Sequence, residues 1–132
     1  IPLMLESGGG TIINISSLAA FNALPNFSVY SVSKAAINAL TRTIAIDFAP
    51  KIRANTICPG FVKIANSENS RTAEELDKWY SEIAKQYPMR RVCEVDEVAG
   101  VASFLAGSDS SYVNGQTIIV DGGKTAADRH EF

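Results

Sequence analysis

A tyrosine and a lysine lie four residues apart, at Tyr30 and Lys34. The sequence around them predicts the beginning of a helix, where residues at this spacing share one face with Cβ atoms about 5–6 Å apart. An ammonium group beside a phenol stabilises the phenolate form. A phenol in such a setting can donate a proton to a carbonyl oxygen in reduction and accept one from an alcohol in oxidation. The pair therefore indicates reversible acid–base chemistry at a carbon–oxygen bond.

Two further positions could belong to the same site. Ser17 ends an apolar run thirteen residues before Tyr30, and its hydroxyl could hold the oxygen that exchanges the proton. Pro59 and Gly60 follow the next apolar run. A Tyr-x-x-x-Lys pair alone is common on protein surfaces, but loops at the carboxyl ends of parallel strands meet at one edge of a sheet. The serine, the Tyr–Lys pair and the Pro-Gly turn therefore strengthen one another as one candidate site.

Three short β-rich runs predict the strands that would position these groups, at residues 11–15, 53–58 and 117–120. The first run is apolar at nearly every position, which predicts a strand covered on both faces in a parallel sheet. Residues 1–6 indicate the end of a helix, and glycines 8–10 separate that helix from the first strand because glycine disfavours a helix interior.

Helical periodicity links the predicted strands. It predicts a helix over residues 29–48, with a packing stripe that includes Leu40 and Ile44. A second helix is predicted over residues 72–86, because a threonine followed three residues later by a glutamate forms a capping pattern. A third helix is predicted to begin near Asp96. Strands that alternate with helices predict an α/β fold with a parallel sheet.

Composition limits the classes of function. The chain has 132 residues, 46% hydrophobic and 20% charged, which is typical of one small soluble domain. A net charge of −2 without a run of Lys or Arg argues against a nucleic-acid or membrane-surface partner. No apolar stretch approaches the roughly 20 residues of a membrane span, and no signal-peptide pattern opens the sequence. We therefore expect a soluble, cytoplasmic protein that acts on small neutral or acidic molecules.

Other chemistry-bearing residues have plainer interpretations. Cys58 and Cys93 are widely separated and no histidines cluster with them, so they predict reduced thiols and neither a disulfide nor a metal site. Tyr80, Tyr87 and Tyr112 have no lysine four residues later and are interpreted as packing residues. The single histidine, near the C-terminus, is expected to be solvated.

Taken together, the motifs resemble those of the short-chain dehydrogenase/reductase family, in order and with family-like spacing over almost the whole chain. The matching segments are Asn14-Ile15-Ser16-Ser17, Tyr30-Ser31-Val32-Ser33-Lys34-Ala35-Ala36, Asn55-Thr56-Ile57-Cys58-Pro59-Gly60-Phe61-Val62, and Tyr112-Val113-Asn114-Gly115-Gln116 with Val120-Asp121-Gly122-Gly123. The resemblance implies a Rossmann-like doubly wound parallel sheet. Residues 1–132 would form the C-terminal portion of a single NAD(P)-binding domain, about three strands with flanking helices, and the N-terminal nucleotide-binding half would be absent.

The resemblance also implies a role for each member of the candidate catalytic group. Tyr30 would be the catalytic acid/base. Lys34 would tune this tyrosine and form a hydrogen bond with the nicotinamide ribose. Ser17 would orient the substrate oxygen, and a hydride would pass directly between the nicotinamide and the substrate carbon.

The same resemblance implies NAD or NADP as the cofactor. Tyr30 and Lys34 would contact the cofactor, and Pro59, Gly60 and the backbone of Val62 would lie against the nicotinamide. Residues 65–86 would cover the substrate. The family's glycine-rich phosphate loop lies upstream of the matched residues. The three consecutive glycines near the start of this chain cannot replace that loop, because they precede a strand instead of joining a strand to a helix. Many relatives place a threonine at the position of Ile64, so only backbone groups would serve the nicotinamide carboxamide here.

The predicted function is that of an NAD(P)-dependent oxidoreductase acting on a ketone or secondary alcohol, such as a 3-oxoacyl thioester, a sugar or a steroid-like compound. The parent protein is expected to be a homodimer or homotetramer, and the isolated chain is expected to be inactive. One alternative is a noncatalytic truncated fragment or interaction module, because a missing half would leave the edge of the first strand unpaired. Another is a related lyase or epimerase that uses the same tyrosine and lysine without a net change in cofactor redox state.

Overall fold

Three parallel strands form one sheet in the computed structural model, which describes residues 1–22, 24–64 and 71–126. Their order across the sheet is β1, β2, β3. The strands are β1 (Gly10–Ile15), β2 (Ile52–Pro59) and β3 (Thr117–Val120). The helices are α1 (Pro2–Glu6), α2 (Ser28–Asp47), α3 (Ala73–Ala84) and α4 (Val95–Ala106), with single 3₁₀ turns at Leu18–Ala20 and Ser108–Ser110. The predicted α/β fold with flanking helices is confirmed.

The core of the protein lies along the central strand. β2 pairs in parallel with β1 on one side and with β3 on the other. Ile52, Ala54 and Ile57 are fully buried on this strand. Because apolar burial stabilises by about 25 cal/mol per Å² of surface removed from water, these side chains give the sheet a stable centre.

The first strand departs from the expectation that both of its faces would be covered. Its four central residues are only half-buried, and Ile15 at its end is 47% exposed. Within the described residues β1 pairs with β2 alone, so it is an edge strand of this sheet. The apolar sequence of β1 correctly indicated a strand, but the burial predicted for it is wrong.

The buried face of α2 is also different from the predicted stripe. Leu40, assigned to that stripe, is 55% exposed, whereas Asn38 and Thr41 are buried. The Thr41 hydroxyl donates to Ile37 O and accepts hydrogen bonds from the side chains of Asn14 (2.9 Å) and Thr56 (2.7 Å). A buried polar group is tolerated when its hydrogen bonds are satisfied. This helix therefore packs on the sheet through hydrogen-bonded polar residues that a search for apolar periodicity does not find.

The two later helices begin with capping boxes. Thr72 and Glu75 exchange side-chain and backbone hydrogen bonds at the start of α3, which confirms the predicted capping pattern. Glu94 and Glu97 form the same motif at α4. The Arg91 guanidinium donates to both carboxylate oxygens of Glu97 at 2.6 Å, and these bonds lower the pKa of that carboxyl to about 2. This bidentate pair ties the segment before α4 to the helix itself.

Hydrogen bonds from the centre of β2 fix the approach to β3. The Asn55 side chain donates to Val113 O (2.8 Å) and accepts from Gln116 N (2.9 Å). Asn114 also links this segment to β2, because its side-chain oxygen accepts a hydrogen bond from Ala54 N at 2.9 Å. The segment that precedes β3 is thus held in register with β2 by side chains as well as by the strand pairing.

The structure agrees with only some of the predictions for the cysteines and for the tyrosines outside the candidate site. Cys58 is buried and Cys93 is half-buried, and both are free thiols, as predicted. Tyr80 and Tyr87 are buried, but Tyr112 is fully exposed, so its assignment as a packing residue is wrong. His130 lies outside the described residues. In the described part of the chain, no helix is long and apolar enough to cross a membrane.

Candidate active site

The carboxyl ends of the three strands meet at one edge of the sheet, as the sequence predicted. Ser16, just beyond β1, donates its backbone N–H to Ile57 O at 2.8 Å. Gly60, just beyond β2, donates in the same way to Val120 O at 2.8 Å. The loops that follow β1, β2 and β3 are therefore side by side, which is where α/β sheets bind their ligands.

Tyr30 and Lys34 lie on the first turns of α2 with their side chains adjacent. The Lys34 ammonium is 5.5 Å from the centroid of the Tyr30 ring. Lys34 Nζ also donates a hydrogen bond to Ile15 O at 3.0 Å, and the Ser16 hydroxyl donates to Lys34 O at 2.9 Å. These two bonds tie the start of α2 to the end of β1 and hold the lysine beside the tyrosine.

The Tyr30 hydroxyl is available to a ligand. Tyr30 is 42% exposed, and its ring meets the ring of Phe27 edge-on, with centroids 6.0 Å apart. The hydroxyl forms no hydrogen bond with any of the described residues, since the bond from Ser33 Oγ reaches the Tyr30 backbone oxygen. A substrate oxygen can therefore approach the phenol without displacing a protein partner.

Ser17 caps the 3₁₀ turn that follows β1. Its hydroxyl oxygen accepts a hydrogen bond from Ala19 N at 3.2 Å. That bond uses a lone pair of the hydroxyl and leaves its proton to be donated. Ser17 is half-buried, so a ligand oxygen can reach this proton from the cleft beside it.

A cleft of about 560 Å³ opens at this edge of the sheet. Ser17, Pro59 and Gly60 are among its lining residues, but Tyr30 and Lys34 are not. Most of the wall is apolar and is formed by Leu18, Leu24, Phe61, Trp79 and Ile83. The size and the apolar lining are those of a site for a small organic molecule.

The Pro-Gly turn after β2 is closely packed. A Cβ atom on Gly60 would lie 3.0 Å from Tyr87 Cε1 and 3.1 Å from Asp121 Cα, so a larger residue would push the turn away from the sheet. Two residues later, Val62 pairs with Cys93 in a parallel bridge that uses the backbone groups flanking Val62. The amide and carbonyl of Val62 itself therefore point to the side opposite Cys93, where a ligand could use them.

Tyr87 contributes to the site in a way that its sequence position did not indicate. Its hydroxyl accepts a hydrogen bond from Phe61 N at 3.0 Å, and burial raises the pKa of this phenol. Through this hydrogen bond the tyrosine stabilises the turn after β2. Twenty-six residues separate the two partners, and no local spacing could predict their contact.

Asp121 stabilises the turn that follows β3. Its carboxylate accepts hydrogen bonds from Gly123 N at 3.0 Å and from both the backbone N–H and the hydroxyl of Thr125 at 2.7 Å. The aspartate therefore stabilises the turn formed with its two following glycines. The next side chain beyond this turn, Lys124, lines the cleft and was not singled out from the sequence.

Comparison with known proteins decides the family. A family model described as enoyl-(acyl carrier protein) reductase matches residues 1–125. Dehydrogenase/reductase SDR family member 4 of Homo sapiens is 40% identical over 124 residues, which cover 93% of this chain and 44% of that protein. The chain belongs to the short-chain dehydrogenase/reductase family. The 2-(R)-hydroxypropyl-CoM dehydrogenase of Xanthobacter autotrophicus is 36% identical, over 96% of this chain and 50% of that protein.

Solved structures of short-chain dehydrogenases share the fold. The ligand-free aldohexose dehydrogenase of Thermoplasma acidophilum superposes with a TM-score of 0.90 and 33% identity, covering 99% of this chain and 54% of that one. A gluconate 5-dehydrogenase from Burkholderia cenocepacia, in complex with NADP and tartrate, gives a TM-score of 0.83 at 36% identity over 96% of this chain and 49% of that one. The Rossmann-like parallel sheet is thereby confirmed. The chain spans about half the length of the relatives it matches.

Proposed function

We propose that this chain carries the catalytic part of an NAD(P)-dependent oxidoreductase that transfers a hydride between a nicotinamide and a ketone or secondary alcohol. The observation that carries the proposal is the placement of Tyr30 and Lys34 at the start of α2 and of Ser17 just after the end of β1, next to an apolar cleft. All four proteins compared above have dehydrogenase in their names, and the Burkholderia structure contains NADP.

The proposed chemistry assigns one task to each side chain. In reduction, the Tyr30 hydroxyl donates its proton to the carbonyl oxygen while the carbonyl carbon receives a hydride, and the product is an alcohol. Ser17 donates a hydrogen bond to the same oxygen and fixes its position. Lys34, 5.5 Å from the Tyr30 ring, stabilises the phenolate that remains. In oxidation, the phenolate accepts the alcohol proton.

The residues at the sheet edge fit the nicotinamide portion of the cofactor. When bound, the nicotinamide supplies or accepts the hydride. Lys34 would donate to the ribose, and Pro59 and Gly60 would provide the backbone surface against the ring. The outward-pointing amide and carbonyl of Val62 would pair with the carboxamide, because Ile64 has no hydroxyl to do so.

We further propose that residues 1–132 are the C-terminal part of one Rossmann domain whose upstream half binds the cofactor phosphates. One edge of β1 has no partner strand within the described residues, and this edge and the half-length match to relatives support the division. Exposed apolar residues on α2, such as Val32, Leu40 and Ile46, support a homodimer or homotetramer of the parent protein. The free thiols of Cys58 and Cys93 support a reducing compartment, for which we propose the cytoplasm.

Calorimetric titration with NADH and with NADPH tests the cofactor and domain proposals together. We expect the N-terminally extended parent protein to bind one of the two dinucleotides tightly and the 132-residue chain to bind neither, because a glycine-rich loop at a helix N-terminus is needed for the pyrophosphate. The preferred dinucleotide identifies the cofactor. Tight binding by the 132-residue chain alone would contradict the claim that an upstream phosphate loop is required.

A further inference from the structure

Lys124 is the only charged residue among the described residues that line the cleft. It follows the turn after β3, so it enters the cleft from the last of the three strand ends, whereas Ser17 enters after the first. The lysine is half-buried. The wall of the same cleft includes the apolar side chains of Trp79 and Ile83.

The lysine side chain is held by neutral partners. Its ammonium donates to Gln86 Oε1 at 3.0 Å and lies 4.6 Å from the centroid of the Tyr87 ring. The nearby carboxylate of Asp121 is already engaged by the backbone of Gly123 and by Thr125. Across residues 1–22, 24–64 and 71–126, no carboxylate forms an ion pair with Lys124. Within these residues its positive charge is therefore held in place by neutral groups and is not neutralised by a carboxylate.

Other cationic side chains near the cleft contact protein groups and do not line the cleft. Lys63 is paired with Glu94, and Arg91 is paired with Glu97, both outside the cleft. The Arg71 guanidinium lies 4.3 Å from the ring centroid of Trp79 and is not among the residues that line the cleft. Among the described lining residues, Lys124 is thus the one direct cationic contact for a small molecule in the cleft.

We propose that Lys124 binds a carboxylate group of the substrate, opposite the carbonyl or alcohol that Ser17 holds. This inference rests on the proposed function and extends it to a substrate class: oxo- or hydroxycarboxylic acids with an apolar segment between the two polar groups. Gln86 completes the site, because its oxygen accepts from Lys124 and its amide N–H groups remain to donate to the second carboxylate oxygen. One cation with one amide matches the single charge of a carboxylate better than the double charge of a phosphate monoester.

Matched substrate pairs test this assignment in the complete enzyme with its cofactor. The probes are methyl-ketone carboxylic acids of graded chain length, their primary amides, and methyl-ketone phosphate monoesters. We expect the carboxylates to have the lowest KM. In Lys124→Gln the KM for the carboxylates should rise about tenfold or more, with kcat little changed, because a charge-assisted bond present in both ground state and transition state is lost. The amides should be reduced equally well by both proteins.

Two variants control the experiment. Lys124→Arg should retain the preference for carboxylates, and Lys85→Gln, which removes an exposed cation of the segment after α3, should leave every KM unchanged. Equal KM values for acids and amides in the wild-type enzyme, or a preference for phosphates, would overturn the carboxylate site while leaving the proposed oxidoreductase intact. Failure of the wild-type enzyme to reduce any of these probes would overturn this inference, and a lack of NADH or NADPH oxidation with ketones of other classes as well would overturn the proposed function.

Discussion

Replacing Tyr30 by Phe is expected to lower kcat of the complete enzyme by roughly 10²- to 10⁴-fold, because the substitution removes the transferable proton. The fold and the cofactor affinity should be unchanged. The Tyr30 ring keeps its edge-on contact with Phe27 and its place beside Lys34, and its hydroxyl has no partner to lose among the described residues. The measurement is the steady-state rate of carbonyl reduction by NADH or NADPH.

Tyr112→Phe provides a matched control for that experiment. Tyr112 is fully exposed and lies before β3, away from the candidate site, so the same chemical change there should leave kcat unaltered. Turnover of Tyr30→Phe within a few-fold of the wild-type value would contradict the assignment of Tyr30 as the acid/base.

Lys34→Ala should have the second large effect, and it should act on two quantities. We expect the dissociation constant of the cofactor to rise by about tenfold to hundredfold, since hydrogen bonds to charged groups contribute about 1.5–3 kcal/mol. The kcat should fall as well, because the phenolate of Tyr30 loses the neighbouring ammonium, which in the wild-type protein lies 5.5 Å from the ring centroid. Calorimetry gives the first quantity and steady-state kinetics the second.

Arg42→Ala is the control for Lys34→Ala, because it removes an exposed cation from the same helix at a distance from the site. Its cofactor affinity and turnover should match those of the wild-type enzyme. Lys34 also donates to Ile15 O, so the thermal unfolding of both variants should be compared. Unchanged cofactor affinity in a folded Lys34→Ala protein would contradict its proposed contact with the ribose.

Local patterns in the sequence were sufficient for the elements that position the site. The β-rich runs located all three strands, and the Thr72–Glu75 pattern located the start of α3, because both depend on residues close in the chain. The meeting of the three strand ends followed from the parallel topology alone. Parallel topology is therefore sufficient to place Ser17 and Gly60 at one edge of the sheet.

Long-range packing decided what the sequence did not predict. Hydrophobic periodicity predicted that α2 packs on the sheet through the face that carries Leu40. The helix instead packs through the hydrogen-bonded side chains of Asn38 and Thr41. Tyr87 supports Phe61 from a distant segment, and Lys124 enters the cleft from the end of β3. Neither residue belongs to a local motif, so only the folded chain shows its place in the site.

Deuterium transfer tests most directly whether these residues serve hydride transfer. The complete enzyme would be given NADH or NADPH deuterated at the transferable position of the nicotinamide, together with a ketone that it reduces, and the alcohol would be analysed by mass spectrometry. We predict a single deuterium on the carbinol carbon, one oxidised cofactor formed for each alcohol, and loss of both signals in Tyr30→Phe. A product without deuterium, formed with no net change in the cofactor, would contradict the oxidoreductase assignment and indicate lyase or epimerase chemistry instead.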